Sequence, residues 1–232
     1  MDSHFPECNN LLILAPHPDD EALGCSGTIM LLNRKGASST VVFLTDGERL
    51  NGEPSATVGE KRREEGRRAS KMLGCEEPVF LGFPDGEVGS HADGISRELS
   101  GLIAEKEPDI ILAPSPLDFH QDHIAASKIA LGLLEGRSGF KLAFYEVYST
   151  VRFTHLIDIV SVVAEKEKAI LNYHTSLYNK PELYVHAIFG LNAQRSIFTQ
   201  SRGYYEAFWL IEKPLRKEEI TDWLTCGFSK PS

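Results

Sequence analysis

The sequence predicts an α/β fold, a three-layer sandwich whose sheet is mostly parallel, and three observations carry that prediction. Short apolar runs alternate with stretches of helical periodicity; several of the runs stop at Pro or Gly; and no linker rich in Gly, Ser or Pro divides the 232 residues. Strands alternating with helices build a parallel sheet through right-handed crossovers, with helices on both faces. Residues 1–232 are therefore expected to form one domain, a size at which a single core is common.

The elements follow in order. Residues 10–15 (NLLILA) make a buried strand stopped by Pro16 and Pro18, and 21–34 a helix with Ala22, Leu23, Ile29, Leu31 and Leu32 at helical spacing. Residues 39–44 (STVVFL), rich in β-branched side chains, give the second strand and lead into Thr45-Asp46-Gly47. A polar loop over 48–60 precedes a charged helix over 61–73, closed by Gly74. The third strand is 78–81, the next helix 96–106 with Leu99, Leu102 and Ile103 on one face, and the fourth strand 109–113 (DIILA), closed by Pro114 and Pro116. From His123 the pattern is helical through Ile124, Ile129, Leu131 and Leu134; 141–147 reads as a strand and 160–173 as a helix. Beyond Tyr173 the periodicity fades, and that segment is expected to decorate the rim of the sheet.

With 42% hydrophobic and 25% charged residues, the composition is that of a globular protein and excludes disorder as its main state. A net charge of -9 repels a phosphate backbone, so no nucleic acid is expected as a partner. The apolar stretch at 11–15 is far too short to span a bilayer, and residues 1–10 lack a basic start with an apolar core, so neither membrane insertion nor export is expected. Cys8, Cys25, Cys75 and Cys226 are dispersed without a C-x-x-C pair, which argues against a zinc ribbon or disulfide framework and for a cytoplasmic location.

The first strand delivers Pro16-His17-Pro18-Asp19-Asp20-Glu21 to its carboxyl end, where open parallel sheets place their ligands. Helix capping by Asp19 or Asp20 would explain the acids but not a histidine held between two prolines. The fourth strand brings Asp118-Phe119-His120-Gln121-Asp122-His123 to the same edge, where Asp122 could cap the next helix. Together the two loops offer the mixed nitrogen and oxygen donors of a catalytic Zn²⁺ site, which neither could supply alone. A dinucleotide is excluded: Gly24-Cys25-Ser26-Gly27 is not G-x-G-x-x-G, and acids occupy the turn where pyrophosphate would sit. Those glycines are instead expected to let helix and sheet approach closely. His4, His91, His155 and His186 have no ligand-like neighbours, and Cys25 is expected to be a small buried hydrophobe.

The two loops resemble the A-H-P-D-D-E and H-x-D-H motifs of the LmbE-like, or PIG-L, N-acetylglucosamine deacetylases, here Ala15-Pro16-His17-Pro18-Asp19-Asp20-Glu21, with one inserted proline, and His120-Gln121-Asp122-His123. Thr45-Asp46-Gly47-Glu48, Arg62-x-x-Glu65, Gly82-Phe83-Pro84-Asp85-Gly86, Lys166-x-x-Ala169, His174-x-Ser176 and Glu206-Ala207-Phe208 are similar to further family elements; Leu177 stands where the family usually has Gln. The resemblance implies a Rossmann-like three-layer sandwich and a zinc-dependent hydrolase that removes the N-acetyl group from an N-acetylglucosamine-containing small molecule or glycoconjugate. It makes His17, Asp20 and His123 the metal ligands, with Zn²⁺ or another divalent ion such as Fe²⁺, and Asp19 the general base. That division is chemically sound, because a carboxylate already coordinated to the metal could not also take a proton from water. By the same resemblance His120 stabilises the oxyanion or protonates the leaving amine, Asp122 orients His120, Arg62 holds a phosphate or aglycone, and Asp85 the sugar hydroxyls. A small N-acetylated sugar is the expected partner, and a homo-oligomer is compatible with it. Two alternatives stay open: a non-haem Fe(II) enzyme, since two His and a carboxylate also describe that site, and a non-catalytic sugar-binding protein on the same fold.

Overall fold

In the computed structural model, which describes residues 5–50, 52–135 and 139–211, the strand Asn10–Ala15 (β1) lies near the middle of a seven-stranded sheet. Its neighbours are Ser38–Thr45 (β2) and Ile110–Pro114 (β4); Val79–Phe83 (β3) lies outside β2, and Lys141–Tyr145 (β5) outside β4. These five strands are all parallel, as the alternation of strand and helix requires. Successive residues of β1 feed opposite cores: Leu11 and Ile13 pack with Val41 and Phe43 on one face, Leu12 and Leu14 with Val42 and Leu44 on the other. The helices Ala56–Leu73 (α3), Ala92–Lys106 (α4) and Gln121–Leu134 (α5) begin earlier than the sequence expectation, α3 by five residues because Ser55 caps it through Val58 N. Gly74 closes α3 in the left-handed conformation, as expected, at φ 75°.

Two expectations are corrected. The helix expected over 21–34 is two helices, Asp20–Gly24 (α1) and Ser26–Arg34 (α2), broken at Cys25. A Cβ on Gly24 would sit 2.3 Å from Tyr145 Cδ2 and 2.7 Å from the Glu146 carbonyl oxygen, so glycine is what lets α1 reach the sheet. The break is held by a buried ion pair: Lys166 Nζ donates to Leu23 O (3.0 Å) and to Glu206 Oε1 (2.6 Å), while the Glu206 oxygens accept from Gly27 N and Thr28 N at 2.9 and 2.7 Å. The last carbonyls of one helix and the first amides of the next thus find partners inside the core. Lys166 belongs to Val163–Leu171 (α6), which a short 3-10 turn, Val160–Val162, precedes.

The segment after Tyr173 is more than decoration. After Pro181–Gln194 (α7) and Ser196–Thr199 (α8), Tyr205–Ile211 (β7) enters the sheet, wholly buried and antiparallel to β5, with the four-residue His155–Asp158 (β6) on its far side. Strand order is therefore β3-β2-β1-β4-β5-β7-β6. His4 and Cys226 lie outside the described residues; Cys8, Cys25 and Cys75 are free thiols, Cys25 fully buried as expected. Among the described residues no helix is long and apolar enough to cross a membrane.

Candidate functional site

The two motif loops leave the carboxyl ends of adjacent strands, β1 and β4, so their side chains meet. Neighbouring backbone fixes the first loop: the Pro16 carbonyl accepts from Thr45 N and Oγ1 (3.1 and 2.9 Å), and the Pro18 carbonyl from Ser176 Oγ and Arg62 Nη2 (2.6 and 3.2 Å). Between them Asp19 takes φ 149°, ψ -25°, a conformation that costs a non-glycine residue of order 1–3 kcal/mol. Its side chain makes no capping bond to α1, so the helix-capping explanation of these acids does not hold.

Asp20 faces both imidazoles. Its Oδ2 accepts from His17 N (2.9 Å) and lies 3.3 Å from His17 Nδ1; its Oδ1 lies 3.1 Å from His123 Nε2. Asp20 Oδ1 and His123 Nε2 are buried, at ion-pair distance, and without a hydrogen bond. Burial disfavours charge on both, yet each stabilises the other: the Asp20 carboxyl is held well below the usual range, and the His123 imidazole is raised to about 9 by Asp20 and Asp118. Imidazole nitrogens and carboxylate oxygens gathered this closely are the donor types a divalent cation takes, and such a cation would replace the proton on His123. The residues present fit a divalent metal. The ring nitrogens of His17, His120 and His123 also lie within 4.8 Å of one another, as do ligand atoms of His17, Asp85 and Asp122.

Around this centre the expected roles shift. The Asp122 carboxylate turns to His17 rather than to the His120 ring. Its Oδ2 lies 3.2 Å from His17 Nε2 and accepts from Gly86 N (2.8 Å), and its Oδ1 accepts from Val88 N (3.2 Å); its contact with His120 is through its own backbone amide, which donates to His120 Nδ1 (3.2 Å). His120, not Asp122, therefore caps α5. Asp85 Oδ1 is 3.1 Å from His17 Nε2, and Oδ2 accepts from Arg49 N, so this acid too braces His17. Burial works against ionisation of Asp85, but His17 brings its carboxyl down to about 2. Carboxylates on the far nitrogen of a ligating histidine fix its tautomer and ring orientation.

Arg62 uses all three of its nitrogens on the protein: Nε donates to Ser176 Oγ (2.9 Å), Nη1 to Gly47 O (2.9 Å), and Nη2 to Pro18 O and Asp19 Oδ2 (3.2 and 3.3 Å). Glu65 completes the support by accepting from Thr175 N and Ser176 N (2.8 and 3.3 Å), which locks the R-x-x-E and H-x-S elements together. Burial pushes the Asp19 carboxyl up to about 7 against the pull of Arg62, and the Glu21 carboxyl up to about 8, although Glu21 accepts the Tyr173 hydroxyl. Sequence reasoning gave no role to Asp118, whose Oδ2 lies 3.4 Å from His123 Nδ1 and whose Oδ1 accepts from His120 N (2.9 Å). An acid at the turn just before H-x-D-H was the signal for it.

His17, Asp19, Arg62, Asp85 and His120 line one cavity of about 850 Å³. A separate apolar groove of about 580 Å³ between α4 and α5, lined by Ala92, Ile124 and Ala125, holds none of this chemistry.

The PIG-L family model, described as GlcNAc-PI de-N-acetylase, matches residues 12–134. Diacetylchitobiose deacetylase of Thermococcus kodakarensis is 27% identical over 191 residues, covering 74% of this chain and 71% of that protein. Of three further curated relatives the chain spans 55%, 56% and 65% of the length. N,N'-diacetylchitobiose deacetylase from Pyrococcus horikoshii superposes with a TM-score of 0.76 at 22% identity over 89% of this chain and 85% of that one. GalB, the 4-carboxy-2-hydroxymuconate hydratase of Pseudomonas putida, gives 0.75 at 22% identity over 90% and 98%. Those two likenesses establish the shared fold, and their different reactions leave the chemistry to the site.

Proposed function

The chain belongs to the PIG-L family, and on that premise we propose that it is a single-domain, divalent-metal-dependent hydrolase that removes the acetyl group from an N-acetylglucosamine-containing small molecule or glycoconjugate. His17, Asp20 and His123 hold the cation in this reading; their mixed imidazole and carboxylate donors suit Zn²⁺ and also accept Fe²⁺. When bound, the cation polarises the amide carbonyl and acidifies water.

Asp19 is the general base. It lies beside Asp20 in sequence but is turned to Arg62, whose Nη2 is 3.3 Å from its Oδ2. It takes a proton from the attacking water as oxygen adds to the acetyl carbon. His120 Nδ1 accepts the Asp122 amide, which puts the proton of the neutral ring on Nε2, and burial with the neighbouring histidines favours that neutral form. Nε2–H then donates to the oxygen that gains negative charge. As the adduct collapses the C–N bond breaks, Asp19 returns its proton to the nitrogen, and acetate and a free amine leave.

The observation that carries this reading is the pair of adjacent aspartates with opposite company, Asp20 facing two imidazoles and Asp19 a guanidinium, at one cavity. Mass spectrometry of N-acetylated sugars incubated with metal-replete protein tests it. Loss of one acetyl group with equimolar acetate is expected. No acetate from any sugar, with hydration of an unsaturated acid by the same preparation, would replace hydrolysis by hydratase chemistry.

A further inference from the structure

We propose that Ser176 is a positioning residue for the reaction: through the Pro18 carbonyl it holds the peptide before Asp19 in place, and with it the aim of the Asp19 carboxylate. The proposal rests on the deacetylase reading above, in which Asp19 is the base.

The direction of the Asp19 side chain is set by the two peptide planes that flank it. The plane that follows is fixed by α1, since the Asp19 carbonyl accepts from Ala22 N and Leu23 N, both at 3.0 Å. The plane that precedes carries the Pro18 carbonyl, and because a peptide is planar, its rotation about the Asp19 N–Cα bond is φ itself. The value, 149°, lies where a non-glycine residue stays only if its surroundings impose it. Two hydrogen bonds to the Pro18 carbonyl do so, from Ser176 Oγ at 2.6 Å and from Arg62 Nη2 at 3.2 Å. The shorter belongs to a residue far along the chain, in the turn between α6 and α7.

The surroundings direct the Ser176 hydroxyl to this one bond. Arg62 Nε donates to Oγ at 2.9 Å, which occupies a lone pair and turns the single hydroxyl proton elsewhere. That proton has Pro18 O at 2.6 Å and Glu65 Oε2 at 3.4 Å, and the shorter contact takes it. Glu65 in turn holds the backbone of the turn, accepting from Thr175 N and Ser176 N. Ser176, Arg62 and Glu65 are all buried, so bulk water does not compete for these bonds. The cluster thus reaches the base twice: Arg62 Nη2 meets its carboxylate at 3.3 Å, and Ser176 meets the peptide that points it. Although Ser176 borders the cavity, its proton is committed to Pro18, and it acts on the reaction through Asp19.

The test is a double-mutant cycle between positions 176 and 19, run on metal-replete protein with N-acetylglucosamine and N,N'-diacetylchitobiose. Ser176→Ala is expected to lower kcat by about 10–100-fold, the scale of a misplaced catalytic group, with KM and bound metal unchanged. Ser176→Thr keeps the hydroxyl and should restore kcat. In an Asp19→Asn background, Ser176→Ala should lower kcat by less than about twofold more, because the base that it aims is gone. The same fold loss in both backgrounds, or undiminished kcat in Ser176→Ala, overturns the proposal. Should Ser176→Ala fail to fold, Ser176→Cys, whose thiol is a weaker donor, runs the same cycle. If the wild type releases acetate from no N-acetylated sugar, the deacetylase reading falls by itself, and crystal structures of metal-bound wild type and Ser176→Ala then decide. Asp19 leaving positive φ in the variant supports the positioning, and φ kept near its wild-type value refutes it.

Discussion

The two loops that build the centre differ in how they are held. In the loop after β1, His17, Asp19, Asp20 and Glu21 are all buried, and the helix that follows is buried at every residue, clamped from behind by Lys166 and Glu206. The loop after β4 alternates: Asp118, Asp122 and His123 point inward, Phe119 and Gln121 outward. One loop can only hold the reaction centre. The other holds it and also meets whatever the cavity admits. Changes in the first should therefore act on metal and chemistry, and changes at the outward positions of the second on substrate choice.

The sharpest test removes ligands from both loops. Asp20→Ala and His123→Ala should each lose bound metal and bring acetate release to background, read by metal analysis and product assay; undiminished metal in both would detach the loops from the site. Asp19→Asn should keep its metal and lose roughly 10²–10⁴-fold in kcat, the scale of general acid–base catalysis. The base must be ionised, so kcat falls as pH drops through a limb at or below about 7, since a bound cation draws the raised pKa down; Asp19→Asn should lack that limb. In the second loop, Asp122→Asn removes a brace on His17 and should weaken metal binding by about 10–100-fold, measured by competition with a chelator. The smallest effect is on stability. Glu21, raised from 4.5 to about 8, keeps its proton in the folded protein but loses it in the unfolded chain above 4.5, so folding stability falls as pH rises through that window. Melting curves of metal-free Glu21→Gln should shift upward relative to wild type as pH goes from about 5 to 8; parallel curves would show that Glu21 ionises freely in the fold.

The same contrast governs what could be read from the sequence. The parallel strands were legible because β1 and β4 carry unbroken apolar runs and β2 is rich in β-branched residues, each with a turn residue at or near its end, and the donor residues because they sit at those ends. β6 is four residues long, and β7 follows a pair of helices and returns antiparallel, so neither fits the strand and helix rhythm. Asp122 and Arg62 were recognised as belonging to the site, but not the contacts of Asp122 with His17 or of Arg62 with Asp19 and Ser176. Which nitrogen of His17 an acid meets, or how many donors of a guanidinium are already taken, depends on loops after β2 and β3 and on Ser176, more than a hundred residues from Arg62.

The backbone of Asp19 carries one more consequence. Its φ of 149° is a conformation that glycine adopts at little cost, and aspartate is tolerated there at the expense of the fold. A library screened for heat resistance alone would therefore enrich Asp19→Gly, and its survivors would melt later while releasing acetate far more slowly. Only a screen that also demands turnover keeps the carboxylate, which makes position 19 the place where robustness and chemistry are selected in opposite directions.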